Sequence, residues 1–225
     1  MKHAFPFLLG ALLLLATHEF ILAANLSTEV VATEATTILT QSNYRFYGNE
    51  NALTPTFTGA PENSSATVPA FHGMTLRLRI NVLDTGVDLS SGATFKLQYA
   101  QSTSGTWTDI GTSTTWTFFN NPGVADGQLI VTNVLSNSDV GATYNESNPT
   151  AGTPSTILAT QRGEWDWVLK NNLASSSGNW FFRMVRASGT ALNAYNRYPA
   201  LILINPADVA SSTFATSGGT FAFPL

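Results

Sequence analysis

Glu164 and Asp166 stand in Gly163-Glu164-Trp165-Asp166-Trp167. In an extended chain this alternation puts both carboxylates on one face, about 6.5–7 Å apart. Two facing carboxylates are the minimum equipment for general acid–base cleavage of a glycosidic bond. No further motif surrounds the pair, and any acidic strand produces the same spacing, so no catalytic residue is assigned and no enzyme is expected. His72 is the single histidine after the first 24 residues, and a Ser-His-Asp arrangement would have to be built on it. It lies in Pro69-Ala70-Phe71-His72-Gly73, a strand-to-turn junction, and no G-x-S-x-G segment occurs. The chain contains no cysteine, which excludes thiolate nucleophiles and thiolate metal sites, and one histidine cannot build a multi-histidine centre.

Asp84 and Asp88 with Ser90-Ser91-Gly92 offer oxygen ligands of the kind calcium takes, but the spacing matches no EF-hand loop. Aspartates in such turns bond their own backbone; no metal and no cofactor is expected. Lys96 and Lys170 raise a lysine–asparagine cross-link assisted by Glu164 or Asp166, without a signature motif. Trp107, Trp165 and Trp167 are the candidate ligand-binding residues, a flat aromatic platform for sugar rings to which Trp116 and Trp180 would add. The competing reading places alternating tryptophans in a core, where each buries about 150–250 Å². Trp107, in a polar, turn-rich stretch, is then the exposed one.

Period-2 alternation must position these residues. Met74, Leu76, Leu78, Ile80 and Val82 face one way, and Thr75, Arg77, Arg79 and Asn81 the other. Phe95, Leu97 and Tyr99 form a second stripe, Trp116 and Phe118 a third, and Trp165, Trp167 and Leu169 a fourth, opposite Glu164, Asp166 and Val168. Trp180, Phe182 and Met184 alternate with Phe181, Arg183 and Val185, and Tyr198–Ile204 is a largely apolar strand. Residues 127–160 are more irregular. Many short strands between turn signals predict an all-β fold, an antiparallel immunoglobulin-like or jelly-roll-like sandwich forming a single large domain, with a closed barrel as the alternative.

The first 24 residues read as a secretory leader: Lys2 and His3, an apolar run from Ala4 to Ala16, and Ala23 and Ala24 at the cleavage point. Thr17, His18 and Glu19 end the run short of the roughly 20 residues a spanning helix needs. A retained anchor and a prepilin, with Gly10 and Glu19, are the other readings of this segment. Residues 25–39 form an extended segment, 40–205 the sandwich and 206–225 a tail. Both ends offer strands for donation to a neighbour, with Val31 and Leu39 on one and Phe221, Phe223 and Leu225 on the other. Asn25, Asn63 and Asn145 open N-x-S/T triplets. Only 11% of residues are charged, with a net charge of -4 and no basic patch, so nucleic acid is not an expected partner and membrane is met only through the leader during export.

Gln41-Ser42-Asn43-Tyr44-Arg45-Phe46, Leu76-Arg77-Leu78-Arg79-Ile80-Asn81-Val82 and Phe95-Lys96-Leu97-Gln98-Tyr99-Ala100 follow in order. Trp107-Thr108-Asp109-Ile110, Asp126-Gly127, Glu164-Trp165-Asp166-Trp167 and Trp180-Phe181-Phe182-Arg183 complete the series. From about Thr40 to Ile204 this order resembles a recurring exported β-sandwich domain of uncharacterised bacterial cell-surface proteins. Members often carry cysteines between the two central strands and in the Phe-Arg strand, where this chain has none. The resemblance implies an extracellular sandwich and supplies no catalytic residues. The expected function is that of an exported, non-catalytic structural surface protein at the cell surface, a homopolymer subunit assembled by β-strand addition. The alternative is a monomeric adhesion module that binds polysaccharide or a cell surface through exposed aromatics.

Overall fold

The alternating stripes become strands, and their apolar faces meet. The computed structural model describes residues 36–205 except 57–58, 112–114 and 174–176. Of the two units into which the chain divides, Met1–Glu34 and Ala35–Leu225, all of these belong to the second. Val31, Phe221, Phe223, Leu225 and Asn25 lie outside the described residues.

Eleven strands are formed among the described residues: β1 (Leu39–Gly48), β2 (Ala66–Pro69), β3 (Thr75–Asp84), β4 (Phe95–Ala100), β5 (Thr108–Asp109), β6 (Trp116–Phe118), β7 (Val140–Asn145), β8 (Arg162–Asn171), β9 (Gly178–Arg186), β10 (Ala194–Tyr195) and β11 (Ala200–Ile204). The first sheet runs β10-β1-β3-β8-β6, with β7 also pairing β8; the second runs β2-β11-β9-β4-β5. The fold is all-β and sandwich-like, as the alternation predicts. Most pairings are antiparallel, but β10 on β1, β2 on β11 and β7 on β8 are parallel, so both sheets are mixed.

The core lies between the sheets. Leu76, Leu78, Ile80 and Val82 of β3 and Trp165, Trp167 and Leu169 of β8 pack against Phe95, Leu97, Trp180, Phe182 and Met184 of the second sheet. Edge-to-face aromatic pairs bridge the two, Phe95–Trp165 at 5.0 Å and Trp116–Phe182 at 5.4 Å between ring centroids. Gly163 sits beneath this layer because a Cβ there would overlap both Ile157 and the Trp165 ring.

Leu39 is not a free donor residue. It opens β1, is fully buried, and pairs with Asp84. The chain before it is already tied in, since Thr85 and Val87 donate backbone hydrogen bonds to Ile38 O and Thr36 O (2.9 and 3.3 Å). Pairing within the sandwich therefore begins before residue 40.

The polar face of the first sheet is covered too. Arg77, Arg79, Asn81, Glu164 and Asp166 are buried beneath the β1–β2 link and residues 119–139, where Val124, Tyr144 and Val168 form a second apolar cluster with Leu53 and Phe119. Replacing Trp165 with alanine is expected to cost about 3–5 kcal/mol, the range for truncating a buried aromatic, read as a lower urea midpoint at unchanged slope.

Candidate ligand-binding cleft

The carboxylates that sequence spacing brings together are consumed by structure. Arg79 lies opposite Asp166 in the β3–β8 ladder, and Arg77 is diagonal to it. Asp166 accepts hydrogen bonds from Arg77 Nε and Nη2 and, at 2.7 Å, from Arg79 Nε. Arg79 Nη1 reaches Glu164 Oε1 at 2.7 Å. Backbone groups of the covering loops finish the set: Ala52 O and Leu53 O accept from Arg77, Thr132 O and Leu53 O accept from Arg79, and the N–H groups of Val134 and Leu135 donate to Glu164. The Arg77 guanidinium also lies 4.9 Å from the Tyr144 ring centroid. Burial alone would push Arg79 down, but Asp166 and Glu164 hold it above its ordinary value, so it stays charged. With every oxygen occupied and no solvent contact, Glu164 and Asp166 have no opening for a substrate.

The other sequence candidates resolve similarly. Asp84 Oδ1 accepts from Gly86 N at 3.0 Å, which is turn chemistry, while Asp88 Oδ1 accepts from Ala159 N at 2.8 Å and ties its loop to a distant segment. Among the described residues no three His, Cys, Asp or Glu side chains gather where a metal could bind. His72 is exposed in a turn. Lys96 Nζ pairs with Asp109 Oδ2 at 2.8 Å, and Lys170 is half-buried on β8 between Thr75 and Thr117. Asn145 is buried, its amide nitrogen donating to Thr143 O and Asp166 O, while half-buried Asn63 bonds Tyr44 N and Asn43. Trp165 and Trp167 are 0% exposed and present no ring to a ligand. Trp107 alone of the three reaches the surface, half-buried, with its ring 5.5 Å from that of Tyr198.

The structure opens a different aromatic site at one end of the sandwich. A cleft of about 620 Å³ lies between the β4–β5 hairpin and the segment leading into β9, inside the roughly 300–1,000 Å³ typical of small-molecule sites. Tyr99 and Trp180, core rings 7% and 6% exposed, show their edges at its floor, 5.7 Å apart at 57°. Ala100, Gln101, Ser102, Gly105, Thr106 and Thr108 form the hairpin wall, and Thr115, Leu173 and Ser177 face it. None of these lining residues is charged. The indole N–H groups of Trp116, Trp165, Trp167 and Trp180 lack partners among the described residues, but only Trp180 among them lines the cleft. Sequence alternation put Tyr99 and Trp180 on inner faces; nothing in it showed that the core opens beside them.

No protein-family model matches the chain, and no curated protein is significantly similar to it.

Two outcomes follow from these environments. Asp166→Asn leaves two buried guanidiniums undercompensated and should cost about 3–5 kcal/mol in urea unfolding. Burial, the largest influence, pushes the Tyr47 phenol up from its ordinary value of 10.0 to about 12, and Tyr44, Tyr144 and Tyr195 are also raised, chiefly by burial. A folded value above the unfolded one adds stability below the unfolded value and loses it as pH climbs through the folded one. Base unfolding is therefore expected between about pH 10 and 12, seen by circular dichroism together with tyrosinate absorbance. The Tyr47 hydroxyl has no partner among the described residues, so Tyr47→Phe should move the midpoint to higher pH.

Proposed function

We propose that this chain is an exported, non-catalytic surface protein whose sandwich binds an uncharged carbohydrate in the cleft over Tyr99 and Trp180. The observation that carries this reading is the composition of the cleft, two aromatic rings set among hydroxyl and amide side chains with no charged group among the described lining residues. A sugar has apolar C–H faces and a rim of hydroxyls. Rings satisfy the first; serine, threonine and glutamine, which both donate and accept, satisfy the second. A lining without carboxylate, imidazole or amine supports binding without turnover. The leader of residues 1–24 and the resemblance to an exported surface domain support an extracellular or cell-surface setting.

Assembly into a homopolymer by strand addition through Ser27–Leu39 or Thr213–Leu225 is the other reading. Strand addition needs an exposed acceptor edge. Among the described residues the strands ending the two sheets are β2, β5, β6, β7 and β10, of 4, 2, 3, 6 and 2 residues. The outer side of β7 is taken by residues 127–130, through bonds such as Ile130 N–H to Ala142 O and Tyr144 N–H to Gln128 O, and β2 closes on Pro69. Short, proline-ended edges discourage pairing, which favours the cleft.

The test titrates the mature protein with cello-, xylo-, malto- and chito-oligosaccharides, following heat and indole fluorescence. At least one should bind. Thr108→Arg, which places a long charged side chain in the cleft, should weaken that binding about tenfold or more with unfolding unchanged. No binding in any series, or equal binding by Thr108→Arg, defeats the reading, and filaments in negative stain would favour strand addition.

A further inference from the structure

The hairpin that walls the cleft is bonded at its base, and its tip has few ladder bonds of its own. β5 pairs with β4 through two residues only, Asp109 with Gln98 and Thr108 with Tyr99. At its base Ile110 N–H bonds Leu97 O at 3.1 Å and Asn148 Nδ2 donates to Leu97 O and Ile110 O at 2.9 and 3.0 Å, while Gly105 N–H closes the tip onto Ser102 O at 3.1 Å. A two-stranded ribbon of this length is not stable by itself in water.

Strand alternation divides its residues between two faces. Thr106 and Thr108 line the cleft and Ile110 is buried, whereas Trp107 and Asp109 emerge on the outer face of the second sheet. There both are held. The Trp107 ring stacks on Tyr198 at 5.5 Å and 26°, and Tyr198 stacks on Tyr195 at 5.2 Å and 15°. Arg183 of β9 places its guanidinium 4.4 Å from the Trp107 centroid and 5.8 Å from that of Tyr195, within cation–π range. Arg183 Nε donates to Gln98 Oε1 at 2.9 Å, Gln98 Nε2 donates to Asp109 Oδ1 at 2.7 Å, and Lys96 Nζ bonds Asp109 Oδ2 at 2.8 Å. At the far end, the Tyr195 hydroxyl donates to Met184 O at 2.8 Å and accepts from Leu192 N at 3.0 Å.

We propose that Trp107 is a positioning residue: clamped by Arg183 and Tyr198 on the outer face, it latches the β4–β5 hairpin and so holds the wall of the cleft at its distance from Trp180. β9 carries both sides of this gauge, since Trp180 faces inward to the cleft and Arg183, three residues on, faces outward to the latch. The consequence for binding rests on the carbohydrate reading above; the mechanical latch does not.

Amide hydrogen exchange over residues 101–108 reads the latch without a ligand. Trp107→Ala should accelerate exchange there about tenfold or more relative to the rest of the sandwich, the size expected for losing one ring pair and one cation–π contact. Trp107→Phe, which keeps a ring on Tyr198, should restore most of the protection. Arg183→Met, which keeps the apolar stem, should open the same amides. Unchanged exchange in 101–108, or acceleration spread evenly over β1, β3, β8 and β9, overturns the latch. Oligosaccharide affinities of the same variants separate the two proposals. A wild-type protein that binds no neutral sugar ends the carbohydrate reading and leaves the exchange result standing. A sugar-binding protein whose hairpin amides ignore Trp107 keeps the cleft and loses the latch.

Discussion

The buried quartet of Arg77, Arg79, Glu164 and Asp166 constrains everything on its side of the molecule. Removing an ion from water costs several kcal/mol even after relaxation, and only complete pairing and hydrogen bonding offset it. Here the charges balance two against two, and the side chains alone do not finish the coordination. Backbone carbonyls of Ala52, Leu53 and Thr132 and the N–H groups of Val134 and Leu135 do. Two long connections without regular structure are thereby bound to the sheet. The quartet also specifies register: slipping β3 against β8 by one residue would turn these charges into the tryptophan layer.

Covering the polar face of the first sheet leaves the sandwich with an asymmetric build. From outside inward come a loop layer, a charged layer, the first sheet, the aromatic core and the second sheet. Trp116 of β6 touches Trp180 at 6.0 Å and Phe182 at 5.4 Å, and Trp180 touches Tyr99, so the rings in the cleft continue the aromatic core to its end. Rings anchored in this way keep their orientation whether or not anything lies against them.

The strands that carry the core were legible in the sequence because alternation reports directly on which residues share a face. Met74 through Val82, Trp165 through Leu169 and Trp180 through Met184 all lie as their period implies. Alternation does not report what covers a face. Arg77, Arg79, Glu164 and Asp166 carry the pattern of a solvated surface, and their covering comes from segments such as 49–53 and 132–136 that act through backbone atoms and have no period to read. β7 escaped for the same reason, since its parallel pairing to β8 is interrupted between Gly141 and Tyr144. The cleft was illegible because it arises where two sheets end, a place that no single strand's pattern describes.

Three arginines at outward-facing strand positions show how neighbours decide a residue's part. Arg77 and Arg79 meet carboxylates across the ladder and become fixed, buried members of a closed network. Arg183 meets Gln98 instead, gains only the neutral Nε bond on that side, and spends its planar face on Trp107 and Tyr195 at a half-buried surface. Stacking of this kind is worth about 0.5–2 kcal/mol, well below the cost of breaking a buried ion pair. The covered sheet is thus held by interactions that cannot open without large loss, and the cleft wall by ones that can. Stability is distributed unevenly in proteins; in this chain the stronger and weaker arginine environments divide between the two sheets.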